Sequence, residues 1–168
     1  MKKRTKILLA ILAALVLIQF IRPAKNLSND QTYHVSTKYA VSDSLQTILK
    51  VACNDCHSNL TVYPWYAEVQ PSAWWLASHV KGGKRHLNLS EFTNRPIAVQ
   101  NHKFEEIIEL VGEKKSMPLK SYTWFGLHHE AKLTDRQRQI ITDWTQGNMD
   151  FLKANYPADS LVLKRPER

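Results

Sequence analysis

Two cysteines and a histidine lie close together in the segment Cys53-Asn54-Asp55-Cys56-His57. Two thiols separated by two residues can each bond one vinyl group of a single porphyrin as thioethers, and the adjacent imidazole can then bind the iron. The spacing C-x-x-C-H is therefore typical of covalent haem attachment. It predicts one haem c, with Cys53 and Cys56 as attachment sites and His57 as the proximal iron ligand.

Three other kinds of site share part of this pattern. A thioredoxin-like redox pair would place C-x-x-C at the start of a helix in a βαβ unit, whereas here the pair follows a predicted helix. A zinc site would need a further pair of ligands at a recognisable spacing, which the isolated histidines do not provide. A disulfide between the two cysteines would close a small, strained loop. Haem attachment is therefore the favoured interpretation.

The sixth iron ligand has several candidates. Met117 lies sixty residues after His57 in an irregular segment, and Pro118 would stiffen its loop. This order of helix, C-x-x-C-H, methionine loop and last helix resembles that of class I cytochromes c, so Met117 is the favoured ligand. Met149 is expected to pack in the protein or lie on its surface. The histidine alternatives are His79, the pair His128-His129, and the isolated His34, His86 and His102.

Apolar side chains at steps of three and four predict four helices that would position these residues. The first begins after Ser42 and leads into the cysteines, and the second runs from Ser72 to Lys81 and ends at Gly82-Gly83. The third includes Phe104 and stops at Gly112.

The fourth helix begins at a capping box formed by Thr134 and Gln137. Because no segment alternates with a period of two, the fold is expected to be all-α and cytochrome c-like. Long irregular connections such as residues 113–130 need a large group to pack against, and a buried haem would serve.

The five tryptophans are expected to pack around the porphyrin and the helices. Lys81, Lys84 and Arg85 could pair with haem propionates or face a redox partner, although a solvated surface is the favoured interpretation.

Half of the net charge of +8 comes from Lys2, Lys3, Arg4 and Lys6, which precede an uncharged apolar run from Ile7 to Ile21. Fifteen helical residues reach about 22 Å, so a bilayer core of about 30 Å would need help from the flanking residues. The run lacks a small-x-small cleavage site, which favours an uncleaved anchor over a signal peptide. The positive flank predicts a cytoplasmic N-terminus and hence a single-pass protein of the bacterial inner membrane whose haem domain faces the periplasm.

Four segments follow from these patterns: a signal anchor over residues 1–22, a linker over 23–41, a haem c-binding domain over 42–155 and a tail over 156–168. The composition, 43% hydrophobic and 23% charged, excludes collagenous and wholly disordered chains. Two cysteines exclude a dense disulfide framework. Since the basic excess is concentrated before the apolar run, it does not indicate nucleic-acid binding.

The sequence resembles the bacterial haem-binding domain family, small exported monohaem proteins, over about residues 40–147. The resemblance implies a covalent haem c on Cys53, Cys56 and His57, with Met117 as the axial ligand, and leaves the physiological partner open. The motifs that carry it, besides C-x-x-C-H, are Tyr63-Pro64-Trp65-Tyr66, Pro71, Trp75, His79, Asn88, Phe92, Met117-Pro118, Tyr122, Ala131-Lys132-Leu133 and Trp144.

The expected function is that of a membrane-tethered monohaem c-type cytochrome, with His/Met ligation, that transfers electrons to or from redox partner proteins in the periplasm. The alternative is a haem-based sensor or gas-binding module with a displaceable sixth ligand. No enzymatic activity is expected, because a di-haem peroxidase would need a second C-x-x-C-H motif.

Overall fold

The protein folds as a set of helices connected by long loops. A computed structural model describes residues 2–124 and 127–164. Within these ranges there is no β-strand, so the predicted all-α class is confirmed. The helices are α1 (Lys3–Leu17), α2 (Asp43–Ala52), α3 (Asn54–His57), α4 (Ser72–His86), α5 (Ile97–Ile107) and α6 (Asp135–Asn155), with short 3-10 turns between them.

Two of the predicted helix starts are confirmed by their capping contacts. The Ser42 hydroxyl accepts a hydrogen bond from the backbone N–H of Leu45 at 3.3 Å, which caps α2. At the start of α6, Thr134 accepts from the Gln137 backbone N–H at 3.2 Å, and the Gln137 side chain accepts from the Thr134 N–H at 2.8 Å. This is the reciprocal capping box that the sequence predicts.

The glycine pair in α4 does not end the helix, which continues to His86. A Cβ atom on Gly83 would lie 2.5 Å from the carbonyl oxygen of Cys56, whereas one on Gly82 would meet nothing within 4 Å. Gly83 therefore permits close contact between α4 and the cysteine segment. The predicted helix end at Gly82-Gly83 is wrong because this glycine serves interhelical packing and not termination.

The third predicted helix is also longer than its pattern suggests. It begins at Ile97, and α5 is followed directly by a π-helical segment, Ile108–Glu113, that passes through Gly112. A Cβ on Gly112 would lie 2.8 Å from the Thr142 side chain on α6. The glycine thus brings the π-helical segment close to α6.

The main hydrophobic core lies between α2, α5, α6 and the segments that precede α2 and α5. Its centre is aromatic: the Tyr39 ring meets the edge of Phe104 at a centroid distance of 5.0 Å, and the Tyr39 hydroxyl donates to Gln100 Oε1 at 2.5 Å. The other buried members include Leu45, Ile48, Leu49, Phe92, Ile141 and Leu152.

Residues 23–41, for which the sequence predicts a linker, pack against the rest of the domain. Val35 and Tyr39 are 0% and 2% exposed and belong to the core. The Asn26 side chain donates to the Ser58 carbonyl and to the Thr61 hydroxyl, both at 2.9 Å. The segment has no helical period, so its buried residues could not be recognised from spacing.

The described part of the expected tail, residues 156–164, also contacts the domain. It forms a 3-10 turn at Ala158–Ser160, and Leu161 packs against the core. Residues 165–168 lie outside the described ranges.

The N-terminal helix α1 buries none of its residues against the rest of the chain. A 3-10 turn, Ile18–Phe20, continues it toward the domain. In the described residues, no helix is both long enough and apolar enough to span a membrane.

Candidate functional site

A cavity of about 620 Å³ opens between the cysteine segment, α4, the π-helical segment and α6. Its volume falls within the range of pockets that take small molecules and cofactors. The four residues singled out from the sequence, Cys53, Cys56, His57 and Met117, all line it. Much of the remaining wall is apolar and includes Leu49, Leu87, Ile107, Leu110, Ile141 and Trp144.

The two cysteines follow the end of α2. Helix α2 stops at Ala52, Cys53 takes a non-helical conformation, and the single turn α3 then carries Cys56 and His57. Both thiols are free, and burial raises the pKa of Cys53 to about 12 and that of Cys56 to about 11, with the neighbouring charges of Cys56 and Asp55 adding to the respective shifts. A reactive redox pair needs a lowered thiol pKa, so this environment argues against a thioredoxin-like site.

His57 is held by two backbone carbonyls from the C-terminal part of α4. Its Nδ1 lies 3.1 Å from Gly83 O and 3.0 Å from Leu87 O. Because a carbonyl can only accept, Nδ1 must carry the proton and Nε2 keeps its lone pair. Burial lowers the pKa of His57 and outweighs the opposing effect of the two hydrogen bonds, so the imidazole is neutral at pH 7. A neutral ring with a fixed Nδ1–H is the form in which histidine binds a metal.

Met117 lies on a loop whose backbone is held by hydrogen bonds at both the N–H and the carbonyl of Met117. The Met117 N–H donates to Leu110 O at 3.2 Å, at the π-helical segment. Arg138 of α6 donates through one Nη1 to Met117 O at 2.8 Å and to Val111 O at 2.7 Å. One guanidinium therefore connects the methionine loop, the π-helical segment and α6.

A family model of haem-binding domains matches residues 13–147 of the chain. The match covers most of the sequence. The chain belongs to the haem-binding domain family. No curated protein and no solved structure matches it. The matched range begins within α1 and includes residues 23–41, which agrees with the packing of that segment onto the haem-binding domain.

The residues at the cavity fit a haem. One wall carries two thiols and an imidazole with a free Nε2, the Met117 thioether also lines the space, and apolar side chains supply much of the rest. Gly83 leaves room for the Cys56 carbonyl where any larger side chain would collide. No group of three or more His, Cys, Asp or Glu side chains in the described part of the chain is placed to hold a bare metal ion.

The other candidate iron ligands occupy different environments. His79 and His86 also line the cavity, and His79 Nδ1 is hydrogen-bonded to Trp75 O at 2.9 Å. His128 Nε2 is paired with the Tyr66 hydroxyl at 2.8 Å, and His129 is exposed. Met149 on α6 is buried, so it is a packing residue, which is one of the two environments expected for it.

Asp55, which lies between the two cysteines, accepts hydrogen bonds from two groups that the sequence does not indicate. Its Oδ2 accepts from the Tyr122 hydroxyl at 2.8 Å, and its Oδ1 accepts from the Val62 N–H at 2.9 Å. The Tyr122 ring stacks on His128 with centroids 4.2 Å apart. These contacts tie the loop that carries Met117 to the cysteine segment. Tyr122 appears in the sequence only as part of the family resemblance, and its distance along the chain from Asp55 gives no local signal.

The tryptophans lie in different environments. Trp75 and Trp144 line the cavity, as expected for packing around a porphyrin, whereas Trp65 is 75% exposed.

Two lysines line the cavity, Lys103 and Lys114, and each of them is paired with a glutamate. Lys84, by contrast, donates to Asn26 at 2.6 Å. The basic residues singled out from the sequence, Lys81, Lys84 and Arg85, lie on α4, and neither Lys103 nor Lys114 is among them.

Proposed function

We propose that this haem-binding protein is a monohaem c-type cytochrome, tethered to the bacterial inner membrane, that transfers electrons in the periplasm. The observation that carries the proposal is the placement of Cys53, Cys56, His57 and Met117 around one cavity of about 620 Å³. Redox partner proteins would exchange electrons with it. We assign it no catalytic reaction of its own.

The two thiols would provide the covalent attachment. Cys53 Sγ and Cys56 Sγ would each hold the haem through a thioether to one vinyl group, an addition in which the thiol hydrogen would go to the other vinyl carbon, so that no oxidant would be required. Both cysteines border the cavity, and the close approach of α4 at Gly83 holds the turn that carries Cys56 and His57 in place.

The residues that would hold the haem iron are His57, through Nε2, and Met117, through its thioether. When bound, the haem iron supplies reversible one-electron chemistry, and a His/Met ligand pair raises its reduction potential. The chain's own part is to orient the imidazole through Gly83 O and Leu87 O and to hold the methionine loop through Arg138. The apolar wall excludes water from the site.

Two features support the tether. Helix α1 exposes apolar residues on every face, a pattern that suits a lipid environment. Four cationic residues precede the apolar run and favour a cytoplasmic N-terminus. The apolar part of this segment, from Ile7 to Phe20, reaches about 22 Å, so the flanking basic side chains would have to extend to the headgroups on either side.

Covalent attachment is tested by producing the chain in a bacterial host that carries a cytochrome c maturation system. The pyridine haemochrome spectrum should be that of a c-type haem, and the intact mass should equal the polypeptide plus one haem. Colourless protein with the mass of the bare polypeptide would overturn the proposal.

Replacing Met117 with alanine should remove the sixth ligand. The wild-type ferric protein is expected to be low-spin with a weak far-red methionine–iron band, and Met117→Ala should lose that band. His79→Ala is the matched control, because His79 also lines the cavity and should leave the band unchanged. A high-spin wild-type protein that binds CO readily would favour the sensor alternative. Loss of the low-spin spectrum in the His79 variant alone would favour histidine ligation.

Replacing Arg138 with alanine should loosen the methionine loop. The change leaves Val111 O and Met117 O without their charged donor, and hydrogen bonds to charged groups are worth about 1.5–3 kcal/mol. The melting temperature should fall, and the far-red band should weaken with the c-type attachment intact. Exposed Arg136 on the same helix is the control. Equal behaviour of Arg138→Ala and Arg136→Ala would contradict this role.

A further inference from the structure

The end of α1 is attached to the haem domain by a dense set of polar contacts. We call residues 19–25 and 65–74 the junction. The Gln19 side chain accepts from the Gln70 N–H at 2.9 Å and donates to Gln70 O at 3.3 Å. The Gln70 side chain and the Trp74 indole N–H both donate to Ile21 O, at 2.7 Å and 3.0 Å. Gln70 itself is 4% exposed, so its hydrogen bonds to Gln19 and Ile21 are partly shielded from water, whereas that of Trp74 is exposed.

Charged contacts continue the junction along the chain. Arg22 donates to the Glu68 carbonyl and faces the Glu68 carboxylate at 3.8 Å, and Lys25 pairs with the same carboxylate. Ion pairs at such exposed positions contribute little by themselves. Together with the buried Gln70 contacts, however, they fix the chain on both sides of Ile21. The helix therefore leaves the domain in one direction and not through a flexible linker.

The junction also presents apolar side chains to the outside. Phe20 is 80% exposed, Ile21 61%, Trp65 75% and Val69 46%. Trp65 and Glu68 belong to one 3-10 turn, in which side chains three residues apart lie on the same side. Since Glu68 contacts Arg22, Trp65 is placed on the side of the domain next to the end of α1. We call these four residues the junction face.

From this arrangement we propose that the junction face contacts the headgroup region of a phospholipid bilayer and holds the haem domain on the membrane in a fixed orientation. Three observations favour lipid as the occupant. The face is continuous with α1, whose apolar residues are exposed on all sides. It includes Trp65, and tryptophan is enriched at membrane–water interfaces. The polar contacts of Gln19, Ile21 and Arg22 hold residues 68–70, and with them Trp65 and Val69, next to the end of α1.

The proposal rests on the membrane attachment put forward above, and the experiment separates the two. Full-length holoprotein would carry photoreactive benzoylphenylalanine at position 65, in place of the exposed aromatic Trp65. The control carries it at Lys153, which is exposed on α6. Each protein is mixed with vesicles of phosphatidylethanolamine and phosphatidylglycerol, floated on a density gradient and irradiated. Lipid adducts are then measured by mass spectrometry.

Flotation of both proteins, with a lipid adduct at position 65 and none at position 153, is the expected result. Protein that fails to float would overturn the membrane attachment and this inference with it. Protein that floats but forms no adduct at position 65, or forms it equally at both positions, would overturn the inference alone. Since the vesicles contain no other protein, a protein partner cannot produce the adduct.

A second variant tests whether the polar contacts set the orientation. Gln19→Leu removes both hydrogen bonds to the Gln70 backbone and leaves α1 apolar. The protein should still float, whereas the adduct at position 65 should be largely lost. An undiminished adduct would show that the junction contacts do not hold the domain on the bilayer.

Discussion

Replacing both Cys53 and Cys56 with serine is expected to give a chain without covalent haem that does not fold cooperatively. The wall of the cavity is largely apolar, and several of its residues come from the helices that form the core. Without a covalently held haem this wall faces water, and each Å² of apolar surface left exposed lowers the free energy of unfolding by about 25 cal/mol. A domain whose net stability is only about 5–15 kcal/mol tolerates little of this.

The measurement combines intact mass, haem extraction into acidified acetone and thermal unfolding followed by circular dichroism. Asn54→Ser is the matched control, since it introduces the same side chain between the cysteines and keeps both thiols. It should retain haem through extraction and unfold in one transition. A double serine variant that folds cooperatively without haem would contradict the structural role assigned to the cofactor.

The second large effect is expected at Gly83. Alanine in place of glycine inside a helix ordinarily stabilises by about 0.5–1 kcal/mol. At Gly83 the new Cβ would lie 2.5 Å from the Cys56 carbonyl, which is backbone and cannot turn away. Overpacking of this kind costs about 1–3 kcal/mol, so Gly83→Ala should be destabilising overall. It should also displace Gly83 O and Leu87 O from His57 and thereby alter the haem spectrum.

Gly147→Ala in α6 is the control, because this residue is exposed and does not line the cavity. A Cβ there meets nothing within 4 Å, so only the helix preference remains and the melting temperature should rise slightly. Both variants are compared by thermal unfolding and optical spectra of the holoprotein. If Gly83→Ala raises the melting temperature as Gly147→Ala does, the close approach of α4 to the cysteine segment is not required for this fold.

Local signals predict the helix starts well. Ser42 and the Thr134–Gln137 capping box depend on contacts within a few residues, so the sequence carries all the information that they need. The end of α4 is predicted wrongly because Gly83 packs against a distant group, the Cys56 carbonyl. The helical run that includes Phe104 ends at Glu113, one residue after the predicted stop at Gly112. A helical glycine that permits close packing cannot be distinguished by spacing from one that ends a helix.

The candidate site shows the same division. The residues in C-x-x-C-H are contiguous, so their types and spacing are enough to indicate the cofactor. The residues that support them come from far along the chain. Arg138 reaches the Met117 loop from α6, and Tyr122 reaches Asp55 across sixty-seven positions. Such pairs depend on tertiary packing, and no local pattern in a single sequence predicts them.

The burial of Val35 and Tyr39 has a practical consequence for shortening the protein. A truncation at residue 42, where α2 is capped, would remove both side chains. Phe104 would lose one of its aromatic neighbours, and Gln100 Oε1 would lose its hydrogen-bond donor. It would also delete Asn26, which closes the loop at Ser58 and Thr61. A secreted version that lacks the apolar N-terminus should therefore start upstream of Asn26.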